Sequence, residues 1–263
     1  MKIRHPAVAG LFYPDGRAEL ERSVADYLAA ASVDPPETPA PKALIVPHAG
    51  FVYSGPVAAS AYARIARLRG VVTRVVLLGP SHRAPLRGLA ASSADAFATP
   101  LGDVRLDRDA IEQILALPQV RLFDAAHEAE HSLEVQLPFL QYILGDFLLV
   151  PLSVGDAEPE QVSEVVEALW GGAETQIVVS SDLSHYYPYE TARARDAATS
   201  RAIEALDGGG LDYESACGRV PTRGLLLAAR RHGLSARTVD LRNSGDTAGG
   251  KSEVVGYGSY VFS

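Results

Sequence analysis

Three of the seven histidines follow short apolar runs of the chain at similar distances. His48 ends the sequence Ala-Leu-Ile-Val-Pro-His, His82 ends Val-Val-Leu-Leu-Gly-Pro-Ser-His, and His185 follows Asp182 after Ile-Val-Val-Ser-Ser. In an open α/β sheet, the loops at the carboxyl ends of neighbouring strands converge on one crevice, where ligands bind. Imidazole is a ligand that first-row transition metals favour. The pattern therefore predicts that these three histidines meet at one metal or catalytic site, with Asp182 beside them.

Carboxylates near these histidines have alternative roles. Asp182 could orient His185 or bind an ion directly, and it could instead cap the helix that follows its strand. His131 and Glu134 are separated by three positions, which places them on one face of a helix that Pro138 is expected to kink. The pair could support the metal ligands from behind, or it could be a solvated pair on the surface.

The elements that must position these residues alternate along the chain. Short β-branched runs bounded by Gly or Pro predict strands at residues 43–46, 74–78, 147–152, 176–180, 237–241 and 253–262. Helical spacing predicts helices at residues 17–31, 57–68 with Pro56 in the first turn, 133–144, 160–169, 192–206 and 222–231. The alternation predicts a single α/β domain over residues 1–263, in which helices flank a central, largely parallel or mixed sheet. The proline-rich stretch 33–41 resembles a linker but separates only a short N-terminal helix.

Composition excludes several classes of protein. Lys and Arg number 24 against 32 Asp and Glu, a formal net charge of −8, so we expect no nucleic-acid partner. No apolar run is long enough to span a bilayer, and prolines and a glycine interrupt the N-terminus where a signal peptide would be apolar. We therefore expect a cytoplasmic protein without a membrane partner. The single cysteine, Cys217, excludes a disulfide framework and is interpreted as a small core residue.

A second metal hypothesis comes from the segment His127-Glu128-Ala129-Glu130-His131, which fits the H-E-x-x-H pattern of zinc proteases. On a helix, two histidines four positions apart share a face and can chelate zinc, with a glutamate as the general base. The pattern fixes only three positions, however, and it leaves the strand-end histidines unexplained. A zinc hydrolase is therefore the least favoured of the functional hypotheses.

Residues 245–252 (GDTAGGKS) fit the expression for a phosphate-binding P-loop. Such a loop must follow a strand and open a helix whose N-terminus holds the phosphate. Here a strand pattern follows the loop and the sequence ends at Ser263. We therefore interpret the match as chance and expect no nucleotide cofactor.

With these residues in view, the chain resembles the Memo family, protein B of the AmmeMemoRadiSam system. The motifs that carry the resemblance occur in order along nearly the whole chain: residues 4–14 (RHPAVAGLFYP), 47–56 (PHAGFVYSGP), 78–82 (LGPSH), 130–138 (EHSLEVQLP), 180–185 (SSDLSH), 243–246 (NSGD) and 255–257 (VGY). The family is similar in fold to the class III extradiol dioxygenases. Those enzymes hold Fe(II) with two histidines and one carboxylate, and they use a further histidine as acid and base.

Carried over by motif, the resemblance implies that His48 and His82 are metal ligands and that His185 is the acid/base, with Asp182 beside it. It implies a divalent metal cofactor, with Fe(II) or Cu favoured and Zn as an alternative. It also implies functional association with AMMECR-type and radical SAM proteins.

The sequence departs from the family at one position. Some Memo proteins have a cysteine near the pocket, late in the chain, and the corresponding position here is close to Thr247. The third ligand is therefore open, with Asp246, Ser244, Asp182 or water as candidates.

Two main hypotheses follow for function. The first is a metal-dependent oxidoreductase, related to non-haem iron dioxygenases, that acts on a small and unknown substrate. The second is a non-catalytic module whose pocket, rimmed by Tyr53, Ser81 and His82, binds a peptide or an anionic ligand.

Overall fold

The computed structural model describes residues 1–35 and 37–263. Pro36, within the proline-rich stretch, lies outside the described residues. The strands are β1 (Ile3–Arg4), β2 (Ala43–Val46), β3 (Arg74–Pro80), β4 (Leu89–Ala91), β5 (Ala96–Thr99), β6 (Gly102–Arg105), β7 (Val120–Leu122), β8 (Leu148–Val154), β9 (Thr175–Ser180), β10 (His185–Tyr187), β11 (Ala236–Asn243) and β12 (Val254–Phe262).

Eight α-helices lie within the described residues, and most of them pack against another helix or on the sheet. They are α1 (Arg17–Ala30), α2 (Phe51–Tyr62), α3 (Arg108–Ile114), α4 (Ala125–Glu128), α5 (Leu137–Leu144), α6 (Pro159–Ala168), α7 (Tyr189–Glu204) and α8 (Arg219–Arg231). Helices α1, α2 and α5 contact one another, α6 packs against α8, and α7 packs on β11 and β12. None of the helices in residues 1–35 and 37–263 combines the length and apolarity that crossing a membrane requires.

Within the described residues, nine strands form one mixed sheet. Its order is β10-β12-β2-β9-β3-β8-β4-β7, and β11 pairs with β12. Strands β2, β9, β3 and β8 are parallel to one another. On either side of these four, β12 is antiparallel to β2 and β4 is antiparallel to β8, while β7 is parallel to β4. The predicted α/β class with a mixed sheet flanked by helices is confirmed.

The central strands form because their residues are apolar on both faces. Every residue of β2 and of β9 is buried, as expected for parallel strands that helices cover on both sides. A smaller sheet of β1, β5 and β6 lies apart from this centre. The parallel strands therefore provide a rigid platform, and the loops that carry His48, His82 and Asp182 leave from its carboxyl edge.

Two helix predictions are wrong because the chain begins its helices elsewhere. Helix α2 begins at Phe51, since the backbone N–H groups of Tyr53 and Ser54 already bond to the Gly50 carbonyl at 2.8 and 3.1 Å. Pro56 therefore lies inside the helix and not in its first turn. Pro138 does not kink a longer helix, because a 3-10 turn at Glu134–Gln136 precedes α5 and the proline occupies the first turn of α5. A proline is tolerated there because its missing N–H would have no partner in the helix.

Candidate metal centre

Three neighbouring parallel strands end at one edge of the sheet and deliver the residues expected there. β9 lies between β2 and β3, so the loops after these strands are adjacent. His48, Asp182 and His82 each lie two residues beyond the ends of β2, β9 and β3, respectively. The rings of His48 and His82 are 5.3 Å apart between centroids, which brings together two of the histidines that the sequence predicted to meet.

His131 joins this pair. One ligand nitrogen from each of His48, His82 and His131 lies within 4.8 Å of the other two. The His131 ring is 4.9 Å from His82 and 5.5 Å from His48 between centroids. The sequence identified His131 as a pocket residue but not as a ligand, and its loop gave no strand-end signal.

The loop that carries His131 packs closely on the end of β3. The Ser132 hydroxyl donates to the Pro80 carbonyl at 2.9 Å. A Cβ on Gly79 would lie 2.9 Å from both the Ser132 Oγ and a methyl of Leu133, so only glycine allows this approach. This packing places His131 beside His82.

The hydrogen bonds around His48 determine which of its nitrogens can bind an ion. Nδ1 lies 2.9 Å from the Ser180 hydroxyl. That hydroxyl donates its own hydrogen to the Ser132 carbonyl at 2.6 Å and accepts the Gln136 amide at 2.8 Å. Ser180 must therefore accept from His48, so Nδ1 carries the hydrogen and the lone pair is on Nε2.

Glu130 accepts the Nδ1 hydrogen of His82, as Ser180 does for His48. Its Oε1 accepts from Nδ1 of His82 at 3.0 Å and from the backbone N–H groups of His131 and Ser132, both at 2.9 Å. Burial would raise the pKa of this carboxyl, but the hydrogen bonds and charge of His82, with the backbone donors, lower its pKa to about 2. The carboxylate is therefore ionised, and by accepting the Nδ1 hydrogen it places the lone pair of the neutral His82 ring on Nε2, where an ion can bind.

His131 has an uncompensated nitrogen. Its Nδ1 is buried without a hydrogen-bond partner among the described residues, although Glu130 Oε1 lies 3.4 Å away. The Phe12 ring packs on it, with 4.8 Å between centroids. Burial and the neighbouring His48 lower the pKa of His131 to about 4.

The donor set fits an ion that prefers nitrogen ligands. Burial lowers the pKa of His48 to about 3, so both His48 and His131 are neutral near pH 7 and their lone pairs are available. Imidazole suits Zn, Cu, Fe and Ni, whereas Mg and Ca require oxygen ligands. Three protein ligands also leave a position for substrate. The third member is an imidazole, in contrast to the carboxylate that the dioxygenase resemblance implies.

Asp182 and His185 lie next to the three-histidine group but outside it. Asp182 is buried, and its Oδ1 accepts the backbone N–H of His48 at 2.7 Å. Burial raises the pKa of Asp182, and the charge of His185 lowers the pKa of both Asp182 and His48. His185 begins β10 opposite Val255.

Glu134 has a different role from the ones that the sequence suggested. It does not share a helix face with His131, which precedes the 3-10 turn, and it is fully buried and therefore no solvated pair. Its carboxylate forms an ion pair with Arg4 and accepts from the Tyr13 hydroxyl at 2.6 Å. Glu134 thus ties the N-terminal segment to the core.

The remaining candidates bind mainly to their own loops. Ser81 donates to the Ala84 carbonyl at 2.8 Å, and Asp246 accepts the backbone N–H of Asn243 at 3.0 Å. Ser244 accepts the backbone N–H of Val255 at 3.1 Å. Tyr53 lies in the first turn of α2 with 40% of its surface exposed. Asp246, the one carboxylate among these four, is not a member of the three-histidine group.

The zinc-protease pattern does not form a helical pair. Helix α4 ends at Glu128, so His131 lies beyond it and does not share a helix face with His127. His127 is buried, and its Nε2 donates to the Ala90 carbonyl at 3.0 Å. The two histidines therefore belong to different surroundings, and the condition for a chelating helix fails.

Cys217 is not the plain core residue that the sequence suggested. Its Sγ lies 3.4 Å from Nε2 of His48, at the edge of the three-histidine group. Burial raises the pKa of this thiol. No spacing in the sequence indicated this contact, because the turn before α8 is far from the strand-end motifs along the chain.

The fold and this centre define an α/β protein with a three-histidine cluster at the carboxyl edge of a parallel sheet core. The family described as Memo-like protein matches residues 4–261. The chain belongs to the Memo family, as the motifs indicated.

Individual relatives match over their full length. A MEMO1 family protein of Aquifex aeolicus is 39% identical and covers 100% of both chains. Relatives with the same description from Ignicoccus hospitalis, at 37% identity, and Aeropyrum pernix, at 39%, cover 98% or more of each chain. An uncharacterized protein of Escherichia coli K12 superposes with a TM-score of 0.49 at 14% identity, over 83% of this chain and 98% of that one. That likeness is too distant to support a conclusion.

Proposed function

We propose that this Memo-family protein binds a divalent first-row metal ion at His48, His82 and His131, and that it uses the ion in oxidoreductase chemistry on a small substrate. The observation that carries the proposal is the group of three imidazoles within 4.8 Å, two of which have their Nδ1 hydrogens held by Ser180 and Glu130. Fe(II) or Cu is the favoured ion, with Zn as the alternative.

A bound ion would supply Lewis-acid or redox chemistry at this edge of the sheet. Ser180 and Glu130 orient the rings of His48 and His82, and they leave the lone pair of each neutral ring on Nε2. His185 is the proposed acid and base toward substrate, and its electrostatic effect on His48 and Asp182 supports this role. Asp182 holds the His48 backbone and sets the charge near His185.

Exposure indicates the direction from which substrate approaches. The side chain of His82 is 29% exposed and that of His131 is 15% exposed, whereas His48 is buried. Tyr186 lies next to His185, with 5.7 Å between ring centroids, and adopts the left-handed φ of 61°. Such a backbone is costly outside glycine and is often retained at functional sites. We infer that substrate enters over His82, past Tyr186.

The test is elemental analysis of protein produced with Fe(II) or Cu supplied, comparing His131→Ala with His5→Ala. His5 is an exposed histidine outside the group, so its variant controls for the loss of an imidazole. We expect about one ion per chain in the unmodified protein and in His5→Ala, and loss of the ion in His131→Ala. Metal content that is unchanged in a folded His131→Ala protein would exclude the three-histidine assignment.

Catalysis is tested separately, with His185→Gln. We expect this variant to keep its metal and to lose oxygen consumption on small aromatic diols by about 100-fold or more. Equal turnover in the variant and the unmodified protein would exclude His185 as the acid/base.

The alternative is a non-catalytic module that binds a peptide or an anionic ligand. The exposed rings of Tyr53 and Tyr186 favour it, because exposed aromatic side chains are typical of binding surfaces. Protein that stays metal-free when metals are supplied, yet binds such a ligand, would support this alternative. Association with AMMECR-type and radical SAM proteins, and a cytoplasmic location, remain predictions.

A further inference from the structure

Lys42 lies at the opposite end of the central strands from the candidate metal centre. It directly precedes β2, whereas His48 follows the carboxyl end of that strand. Its backbone is fixed by both neighbouring strands, because its N–H donates to the Phe262 carbonyl at 2.8 Å and its carbonyl accepts the Ile177 N–H at 3.3 Å. The side chain therefore starts from a rigid position, and the function proposed above does not use it.

Two backbone carbonyls hold the amine of Lys42. Its Nζ donates to the carbonyls of Gly172 and Thr175, both at 2.7 Å. An ammonium group has three hydrogens, and the third has no hydrogen-bond partner among the described residues. A neutral amine has two hydrogens, so it keeps both of these bonds and carries its lone pair at the third position. Loss of the proton therefore costs this amine no hydrogen bond.

A cavity of about 310 Å³ is lined in part by Lys42. Of the described residues that line it, Lys42 is the only one with a charge, and most of the others are apolar or small, among them Pro41, Leu68 and Trp170. The centre of the Trp170 ring lies 5.5 Å from Nζ, and the His232 ring stacks on this indole with 3.8 Å between centroids. The volume is at the lower end of the range for ligand cavities, so the cavity suits a small aromatic or apolar molecule.

The protonation of the amine agrees with this geometry. Burial lowers the pKa of Lys42 from 10.5 to about 8, and the nearby carboxylate of Glu174 opposes the change only in part. At pH 7 about one tenth of such an amine is neutral, compared with roughly one in three thousand for a lysine whose pKa is 10.5. A lysine amine becomes a nucleophile when an apolar pocket favours loss of its proton.

We infer that Lys42 is a reactive amine that binds a small aromatic aldehyde as an imine in this cavity. The lone pair of the neutral amine attacks the carbonyl carbon, and the nitrogen passes one proton to the carbonyl oxygen. The resulting hydroxyl then leaves as water with the second N–H proton while the C=N bond forms, so the step needs no oxidant or reductant. Leu68 and Trp170 provide apolar surface for the ring of the aldehyde. The site does not depend on the metal ion, since it lies at the other end of β2.

Salicylaldehyde is the probe for this inference, and the other lysines are internal controls. The chain has three lysines, Lys2, Lys42 and Lys251, so peptide mass spectrometry resolves each one. Sodium cyanoborohydride adds hydride to the imine carbon and fixes the product as a secondary amine. We expect Lys42 to be modified at pH 7 at least about 10-fold faster than Lys251. Lys251 is the matched control because its Nζ also lies over an aromatic ring, that of Tyr189, at 4.4 Å. In urea the difference should vanish, since it arises from the folded surroundings.

Trp170 reports whether the aldehyde occupies the cavity. It is the chain's one tryptophan, and its ring lies 5.5 Å from the amine. We expect the salicylaldehyde imine to quench its fluorescence in the unmodified protein and in Lys251→Arg. The Lys42→Arg variant keeps a cation and hydrogen-bond donors but cannot form the imine, so its fluorescence should not change.

Two results with the unmodified protein would overturn the inference. The first is modification of Lys42 that is no faster than that of Lys251 in the folded chain. The second is modification of Lys42 by formaldehyde but not by salicylaldehyde, because the cavity would then not admit an aromatic ring. Since neither result requires a variant, a Lys42→Arg protein that fails to fold does not remove the test.

Discussion

Glu130 and Glu134 are two buried carboxylates on the same stretch of chain, and they serve different regions of the molecule. Glu134 accepts the backbone N–H groups of Ala7 and Val8 at 2.7 and 3.0 Å, in addition to its bonds from Arg4 and Tyr13. All of its known donors belong to the N-terminal segment. Glu130 accepts instead from His82 and from the loop of His131, as described above.

The two carboxylates differ in the further contacts of the residues that donate to them. The Arg4 guanidinium neutralises the charge of Glu134, and the other donors to this carboxylate are also in the N-terminal segment. We call Glu134 and these donors the closed region. His82, which donates to Glu130, has a second nitrogen that faces two other imidazoles. The hydrogen bonds of Glu134 therefore have a structural role. Those of Glu130 support a candidate ion site, and we call Glu130, His82 and His131 the open region. The two regions share one residue, because Arg4 donates to the Glu130 carbonyl as well as to Glu134.

The largest expected effect is on the closed region. Glu134→Gln leaves the buried Arg4 guanidinium without its counter-charge, and we expect the free energy of unfolding to fall by about 3–5 kcal/mol. Urea denaturation measures this loss. The matched control is Glu21→Gln, which removes an exposed pair with Arg17 and should cost no more than about 0.5 kcal/mol. Equal stabilities for the two variants would contradict the comparison.

The second prediction concerns pH and His127, whose backbone carbonyl also accepts from Arg4. Burial lowers the pKa of His127 from 6.5 to about 4, so the unfolded chain takes up this proton at higher pH than the folded one. Its contribution is therefore complete above about pH 7 and is lost as the pH falls from 6.5 toward 4. The loss amounts to about 3 kcal/mol.

The variant His127→Gln keeps an amide donor for the Ala90 carbonyl but does not titrate. We expect its stability to fall less steeply between pH 7 and 4 than that of the unmodified protein, as measured by denaturation at each pH. His5→Gln, at an exposed histidine, should retain the full slope. Identical slopes in all three proteins would show that His127 does not contribute to the acid sensitivity.

The third prediction concerns the open region. Glu130→Gln removes the charge that holds His82 and organises the His131 loop, and we expect metal affinity to fall by about 10–100-fold. Isothermal titration with zinc measures this affinity. Glu134→Gln is the control, since folded protein of that variant should bind zinc with nearly unchanged affinity. If the two variants lost affinity equally, the distinction between the regions would be lost.

The smallest expected effect is at Ser180. Ser180→Ala removes the acceptor that fixes the hydrogen on Nδ1 of His48, and we expect zinc affinity to fall by about 10-fold. Ser153→Ala is the control, because Ser153 is equally buried and its hydroxyl has no hydrogen-bond partner among the described residues. An unchanged affinity in Ser180→Ala would mean that His48 does not depend on this hydrogen bond.

The central sheet was predictable because its strands are buried on both faces. Such strands are continuous apolar, β-branched runs, and the strand at 43–46 was predicted with its observed bounds. The short strands β4 and β7 were missed, since three residues carry no periodicity and their pairing depends on the sheet edge that receives them. Helix starts were less predictable. The first turn of α2 is set by backbone hydrogen bonds to the Gly50 carbonyl, and the spacing of the apolar residues does not indicate such bonds.

The amino-acid sequence by itself determined that His48 and His82 would meet, because each follows a buried strand and parallel strands end at one edge. Only the tertiary structure decided that His131 and Cys217 reach the same place. Both lie on loops, and a loop's position follows from close packing with no periodic pattern: Ser132 against β3 at Gly79, and Gly218 against Ser181. The close approaches at these two glycines therefore accompany the positions of His131 beside His82 and of Cys217 beside His48.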